Sequence, residues 1–122
     1  MLDQEITEIL TQIEKDCPGF IAASVVDLDS GMTLGVHHAD PSFDLATASA
    51  FNSEMVKQKL KIMQALGLDS TLEDMLLTLS DQIHLIKLFG ESFLYLAAER
   101  ESSNLALVRN AVNRHSSSLA TD

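Results

Sequence analysis

The sequence predicts a three-layer α/β (α+β) domain in which helices cover both faces of a five-stranded antiparallel sheet. Three stretches carry apolar residues at helical spacing, and five short runs rich in branched residues are separated by turn signals. The predicted order is helix-strand-strand-helix-strand-strand-strand-helix. At 122 residues the chain fits one domain over 1–122, which we expect to be ordered over about 3–115.

The charge and composition of the chain exclude several classes of function. The formal net charge is −10, whereas a nucleic-acid binder needs a basic field. The start of the sequence lacks the features of a signal peptide, and no apolar run reaches the length of a membrane span. A single cysteine, Cys17, excludes an internal disulfide and fits a reducing compartment. We therefore expect a cytoplasmic protein with no membrane insertion.

A helix and a hairpin are predicted in the N-terminal part. Helix 1 covers 2–16, where apolar residues fall on one face, and Pro18-Gly19 ends it. Strand 1 covers 20–28 and is small or apolar at both alternating sets of positions, which is typical of a central strand. A turn at Asp29-Ser30-Gly31 leads into strand 2 over 32–36.

The longest element is a helix over 45–66, which has no internal Gly or Pro. Asp44 is predicted to cap its first turn, and Gly67 is predicted to end it in the left-handed conformation. Its apolar residues fall into two stripes. The first stripe comprises Ala48, Phe51, Met55, Ile62 and Leu66, and the second comprises Ser49, Val56, Leu60 and Met63. One stripe is expected to pack on the sheet and the other to meet a partner; the alternative is a helix sunk deep in its own domain.

The C-terminal part is predicted to hold three strands and a helix. Strand 3 covers 73–79, strand 4 covers 82–89 and strand 5 covers 93–98. Helix 3 covers 103–116. Beyond it, residues 116–122 are expected to form a frayed polar tail.

No catalytic, cofactor-binding or metal site is predicted. His37 and His38 are adjacent, so their side chains point apart, and no cluster of other ligands supports them. Cys17 lacks a paired base, and the scattered glycines form no phosphate-binding loop. His84 alternates with apolar neighbours, which favours a sheet-surface or partly buried role.

Lys57 and Lys61 form a basic spot on the long helix of an otherwise acidic chain. Two interpretations stay open: a solvated helix face supported by Glu54, or a site that docks an acidic partner surface.

Several stretches resemble the Roadblock family, that is, the dynein light chain roadblock-type domain and its bacterial branch of Ras-like GTPase regulators. They are FIAASVVD followed by DSGM, then FDLATASAFNSEMVKQKLKIMQALGL, LEDMLLTLSDQIHLIKLF and FLYLAAERESSNLALVRNAV. The resemblance spans about residues 3–115. It implies a profilin- or longin-like fold, with the long helix on one face of the sheet and helices 1 and 3 on the other.

The resemblance also implies a non-enzymatic homodimer in which strand 3 pairs with its copy and the long helix packs against its copy. Family members regulate or scaffold small Ras-like GTPases, so a GTPase is the implied partner. The implied interface residues come from both stripes, from Lys59 between them and from strand 3: Phe51, Met55, Val56, Lys59, Met63, Met75 and Leu77. The long helix has no arginine, so it supplies no arginine finger. A structural adaptor without effect on nucleotide turnover, and a small-molecule sensor using His84 and Tyr95, are the alternatives.

Overall fold

The computed structural model describes residues 3–121. The helices are α1 (Asp3–Asp16), α2 (Leu45–Ala65) and α3 (Leu105–His115). The strands are β1 (Phe20–Asp27), β2 (Thr33–His38), β3 (Asp74–Thr78), β4 (Gln82–Phe89) and β5 (Ser92–Glu99). This order confirms the predicted one. The predicted start of helix 1, at residue 2, lies outside the described residues.

The five strands form one sheet in the order β2-β1-β5-β4-β3, and every neighbouring pair is antiparallel. The central strands β1 and β5 are buried along almost their whole length, as the two-sided apolar pattern of strand 1 predicted. The two edges of the sheet are β2 and β3.

Helices cover both faces of the sheet, so the domain has three layers. On one face, Leu10 of α1 and Val112 of α3 pack with Leu96 of β5 in one buried cluster. On the other face, Val56 of α2 packs with Phe93 in a second cluster. The layer arrangement implied by the Roadblock resemblance is therefore confirmed.

The ends of α2 follow the predicted local chemistry. The Asp44 carboxylate accepts the Thr47 N–H at 3.0 Å and the Thr47 hydroxyl at 2.6 Å, which satisfies donors of the first turn. Gly67 has φ +68°, and the Leu68 N–H donates to the Met63 carbonyl at 3.0 Å. These two caps fix where α2 starts and stops over the sheet.

The C-terminal segment differs from the expected frayed tail. Ser117–Thr121 forms a short 3₁₀ helix, and Ser116 and Leu119 are buried. Leu119 belongs to the core cluster beneath α1 and α3. The burial of Leu119 holds the segment against the domain. The polar composition of the segment did not indicate this contact. Asp122 lies outside the described residues.

Candidate interaction surface

The inward face of α2 is built from small side chains and three larger apolar ones, Leu45, Val56 and Met63. Ser49, Ser53, Val56 and Met63 are buried, and the Ser49 and Ser24 hydroxyl oxygens lie 3.0 Å apart. Helix and hairpin approach closely: Gly31 has φ +75°, and a Cβ there would lie 2.9 Å from the Ser53 Oγ. The second stripe therefore packs on the protein's own sheet.

This placement corrects two of the predicted interface residues. Val56 is 0% exposed and Met63 is 8% exposed. Both side chains belong to the interior of the domain and do not lie on a surface that a partner could reach. The sequence pattern did not distinguish the two stripes, because both are apolar over the same length of helix.

The first stripe of α2 faces outward, and we call it the outer stripe (Ala48, Phe51, Met55, Ile62, Leu66). Phe51 is 73% exposed, Leu66 is 67% exposed and Ile62 is 41% exposed. Met55 is half-buried, and Lys59 beside it is exposed. Several large apolar side chains exposed along one side of a helix are typical of a surface that another protein covers.

The sheet beside the outer stripe is only partly covered. The backbone of α2 lies closest to β1 and β2, while the Asn52 side chain lies near enough to Tyr95 of β5 to lower the pKa of its phenol slightly against the larger effect of burial. Beyond that flank, Met75, Leu77 and Leu88 pack at the margin of the α2-side core and are half-buried. We call these three residues the open sheet half. Met75 and Leu77 belong to β3, the edge of the sheet, and Leu88 belongs to β4.

A polar and aromatic cluster lies on the same face. The Tyr95 hydroxyl is 3.2 Å from His84 Nδ1, and His84 Nε2 is 2.7 Å from Gln82 Oε1. The Phe43 ring stacks at 6.4 Å from that of Tyr95. Burial lowers the pKa of His84 and raises the pKa of Tyr95 to about 12. The neutral imidazole of His84 is held between Gln82 and the protonated phenol of Tyr95, and the three side chains form a structural network. His84 is partly buried, as predicted.

The two lysines of the basic spot have different surroundings. Lys57 Nζ donates to the Asp29 carbonyl at 2.7 Å and lies 3.6 Å from Glu54 Oε1. Lys61 is exposed. Lys57 thus fastens α2 to the β1–β2 turn, and a docking role for the pair stays a prediction.

Two histidine–carboxylate pairs were not predicted from the sequence. His37 Nε2 lies 2.6 Å from Glu14 Oε1, and His115 Nε2 lies 2.5 Å from Asp16 Oδ2. The hydrogen bond from His115 lowers the pKa of Asp16. These contacts hold the end of α1 to β2 and α3. No local sequence pattern predicts these pairs, because the partners are far apart in the chain.

The described residues form no site suited to metal binding or to nucleophilic catalysis by the cysteine. Between residues 3 and 121, no three His, Cys, Asp or Glu side chains lie close enough together to hold a metal ion. Cys17 is buried, and burial raises the pKa of its thiol, which disfavours the thiolate that a nucleophile requires. None of the helices in this range has the length and hydrophobicity of a membrane span.

The described part of the chain has the fold found in solved Roadblock-type domains. Solved structures with this fold include MglB of Myxococcus xanthus, with a TM-score of 0.84 at 14% identity over 97% of this chain and 86% of that one. The gliding protein MglB of Thermus thermophilus gives 0.82 at 18% over 98% and 88% of the two chains. A Roadblock/LC7 domain from Streptomyces avermitilis gives 0.77 at 17% over 98% and 95%. No family model and no curated protein matches the chain.

Proposed function

We propose that this protein is a single-domain, homodimeric Roadblock-type interaction module of the cytoplasm that regulates or scaffolds a small Ras-like GTPase. The observation that carries the proposal is the outer stripe of α2, which lies exposed beside the open sheet half and the edge strand β3. In this proposal the chain supplies no catalytic group of its own.

A second copy of the chain fits this surface. A two-fold axis brings the same patch of both protomers together, so α2 would pack on its copy through Phe51 and Met55. The edge strand β3 has a backbone partner only on its β4 side, and pairing with its copy would satisfy the outer row of hydrogen-bonding groups. Met75 and Leu77 would then lose their remaining exposure. Lys59, next to the outer stripe, would lie at the margin of the same interface.

The GTPase partner is supported by the fold shared with MglB, a gliding protein, and by the resemblance of the sequence to Roadblock regulators. The 21-residue helix α2 carries lysines but no arginine. Lysine lacks the planar, bidentate fork of an arginine finger. The module would therefore act by positioning the GTPase's own residues. Exposed Lys61 is available to contact an acidic patch of such a partner.

Binding and turnover experiments test the proposal. Small Ras-like GTPases encoded in the same genome would be loaded with GDP or a non-hydrolysable GTP analogue and titrated against the full chain. Binding that depends on the nucleotide, with a changed rate of hydrolysis or exchange, supports regulation. Binding with unchanged rates favours the adaptor. Binding of none of these GTPases overturns the GTPase proposal while leaving the dimer proposal to its own test.

A small-molecule sensor is the second candidate, and one observation favours it. A cleft of about 930 Å³ at the end of the sheet is lined in part by Phe43 and Gln82, which adjoin the His84–Tyr95 pair. A thermal-shift screen with a metabolite library would test it, using Phe43→Ala as the variant. A ligand that raises the melting temperature of the wild type but not of the variant supports the sensor hypothesis. If no ligand raises the melting temperature of the wild type, the sensor hypothesis is wrong.

A further inference from the structure

A bulge in β2 shapes a cleft at one end of the sheet. Val25 pairs with Gly35 and Val26 pairs with Thr33, so the pairing of the two strands passes over Leu34. An extra residue of this kind changes the direction in which a side chain points. Leu34 lies in the cleft beside Ile6 of α1 and is 44% exposed. The bulge thus presents a large apolar side chain to an open space next to α1.

The cleft has a volume of about 460 Å³ and its walls are mainly apolar. Ile6 and Val25 are buried on its inner side, together with Leu119 of the short C-terminal helix. The half-buried Phe89 forms the wall at the end of β4. A concave, mainly apolar space of this size is typical of a site for a small organic molecule.

The polar side chains that line the cleft belong to Asp27, Glu91 and Ser92. Asp27 and Ser92 are directly opposite each other in the pairing of β1 with β5, and Glu91 precedes Ser92 in the β4–β5 turn. All three side chains can accept a hydrogen bond, and two of them carry negative charge. Acceptors and negative charge therefore meet at one end of an apolar space.

The Asp27 carboxylate is held in place by its own turn. The Ser30 hydroxyl donates to Asp27 Oδ2 at 2.6 Å, and the Ser30 N–H donates to the same oxygen at 3.0 Å. These hydrogen bonds, the one from the hydroxyl above all, lower the pKa of Asp27, so the carboxylate is ionised at neutral pH. Because both bonds go to Oδ2, the Oδ1 atom can accept a hydrogen bond from a ligand. The Leu28 N–H donates to the Glu91 carbonyl at 2.9 Å, which ties the β4–β5 turn to the end of β1.

Two lysines lie near this end of the sheet, and each has partners of its own. Lys57 borders a separate depression on the α2 side, where it contacts the Asp29 carbonyl and Glu54. Lys87 donates to the Asn113 side chain of α3. Neither lysine is among the described residues that line the cleft, so the carboxylates set the sign of the charge there.

We propose that this cleft binds a small primary amine with an aliphatic tail. A primary ammonium group has three N–H donors and no acceptor, and Asp27, Glu91 and Ser92 offer three acceptors. The tail would lie against Leu34 and Phe89, where each methylene removed from water adds affinity. An anionic ligand with the same tail would meet charge of its own sign. The inference does not rest on the proposed dimer, GTPase or sensor, whose cleft lies at the opposite end of the sheet.

NMR titration of the full chain with n-hexylamine, at constant pH and ionic strength, tests the proposal. The matched probes 1-hexanol and hexanoate keep the tail and replace the ammonium group, and n-butylamine shortens the tail. We expect hexylamine to shift the amide signals of Leu34, Glu91 and Ser92 in a saturable way. Hexanol should bind about tenfold more weakly, and hexanoate more weakly still. The loss of two methylenes should weaken butylamine by about tenfold.

Two pairs of variants separate the cleft from general attraction to an acidic chain. Leu34→Lys should weaken hexylamine by about tenfold or more, because it places a cation in the cleft. Leu105→Lys, on a residue of α3 with 40% exposure, adds the same charge elsewhere and should change the affinity by less than about twofold. Glu91→Gln should weaken hexylamine by about two- to fivefold and leave hexanol unchanged. Glu73→Gln removes an equally exposed carboxylate just before β3 and should leave both affinities unchanged.

Several results would overturn the inference. Shifts confined to residues around Phe43 and Asp81 would place the amine in the cleft at the other end of the sheet. Equal affinity for hexylamine and hexanoate, or equal effects of the two members of each variant pair, would show attraction without a site. The absence of a saturable shift at Leu34 and Glu91 with any probe would also contradict the assignment.

Discussion

Truncation of Phe51 to alanine should dissociate the proposed dimer without unfolding the domain. The ring is 73% exposed in the single chain, so it contributes little to the stability of that chain, and we expect the free energy of unfolding of the monomer to change by less than about 0.5 kcal/mol.

The magnitude follows from the area that the ring offers to a partner. A phenylalanine buries about 200 Å² when fully covered, so at 73% exposure roughly 150 Å² of Phe51 is left to bury. At about 25 cal/mol per Å² this is about 4 kcal/mol for the whole side chain, and about 3 kcal/mol for the part lost on truncation to alanine. The symmetric pair doubles the loss, to an upper bound of about 6 kcal/mol, or about four orders of magnitude in the dissociation constant.

Sedimentation equilibrium over a dilution series would measure that constant for wild type and Phe51→Ala. The matched control is Leu105→Ala, which removes an apolar side chain with 40% exposure from α3, on the other side of the sheet. We expect the control to dimerise like the wild type. If Phe51→Ala keeps the wild-type dissociation constant within a few-fold, the outer stripe does not form the interface and the reasoning fails.

Three further predictions concern the packing that positions α2 and β2. Ser49→Ala should lower the free energy of unfolding in urea by about 1–2 kcal/mol, because it leaves the buried Ser24 hydroxyl without a partner; the double alanine variant should recover much of this loss, and equal losses in all variants would contradict the argument. Burial holds the folded-state pKa of His84 below the unfolded value of about 6.5. The contribution of neutral His84 to the free energy of unfolding should therefore be fully present above that pH and be lost as the pH falls toward the folded-state pKa. His84→Gln should lose this pH dependence, and an unchanged pH profile would refute the assignment. Gly35→Ala should lower the melting temperature, since the added Cβ would lie 2.4 Å from the Ile6 Cγ2, and an overpacked core typically loses about 1–3 kcal/mol; an unchanged melting temperature would show that α1 can yield.

The order of the elements was predictable because each has a strong local signal. Asp44 and Gly67 bracket α2 by capping chemistry that needs no tertiary context. Strand β1 was predicted to be central because both of its alternating sets of positions are small or apolar, and its burial confirms this. Hydrophobic spacing alone is sufficient for this level of the fold.

The orientation of α2 was not predictable, because two apolar stripes compete for one sheet. The deciding contacts involve small residues: the Ser24–Ser49 pair and the approach of Ser53 to Gly31 draw one side of the helix to the sheet. Val56 therefore turns inward and Phe51 outward. Serines carry little weight in a hydrophobic pattern, so the choice appears only when the helix is placed on the sheet.

Contacts between distant parts of the chain were also beyond sequence reasoning. His37 meets Glu14, and His115 meets Asp16, only after α1 is packed against β2 and α3. The burial of Leu119 depends on its contact with the core cluster that α1 and α3 also line. In each case the partner is set by the tertiary arrangement.

The absolute mass of the native chain in solution tests the central proposal most directly. Light scattering at low micromolar concentration would give it. We predict twice the chain mass of 13.3 kDa, since the outer stripe and the β3 edge would be covered by a second copy. A mass of 13.3 kDa under the same conditions would contradict the proposed homodimer and leave the exposed α2 surface to a different protein.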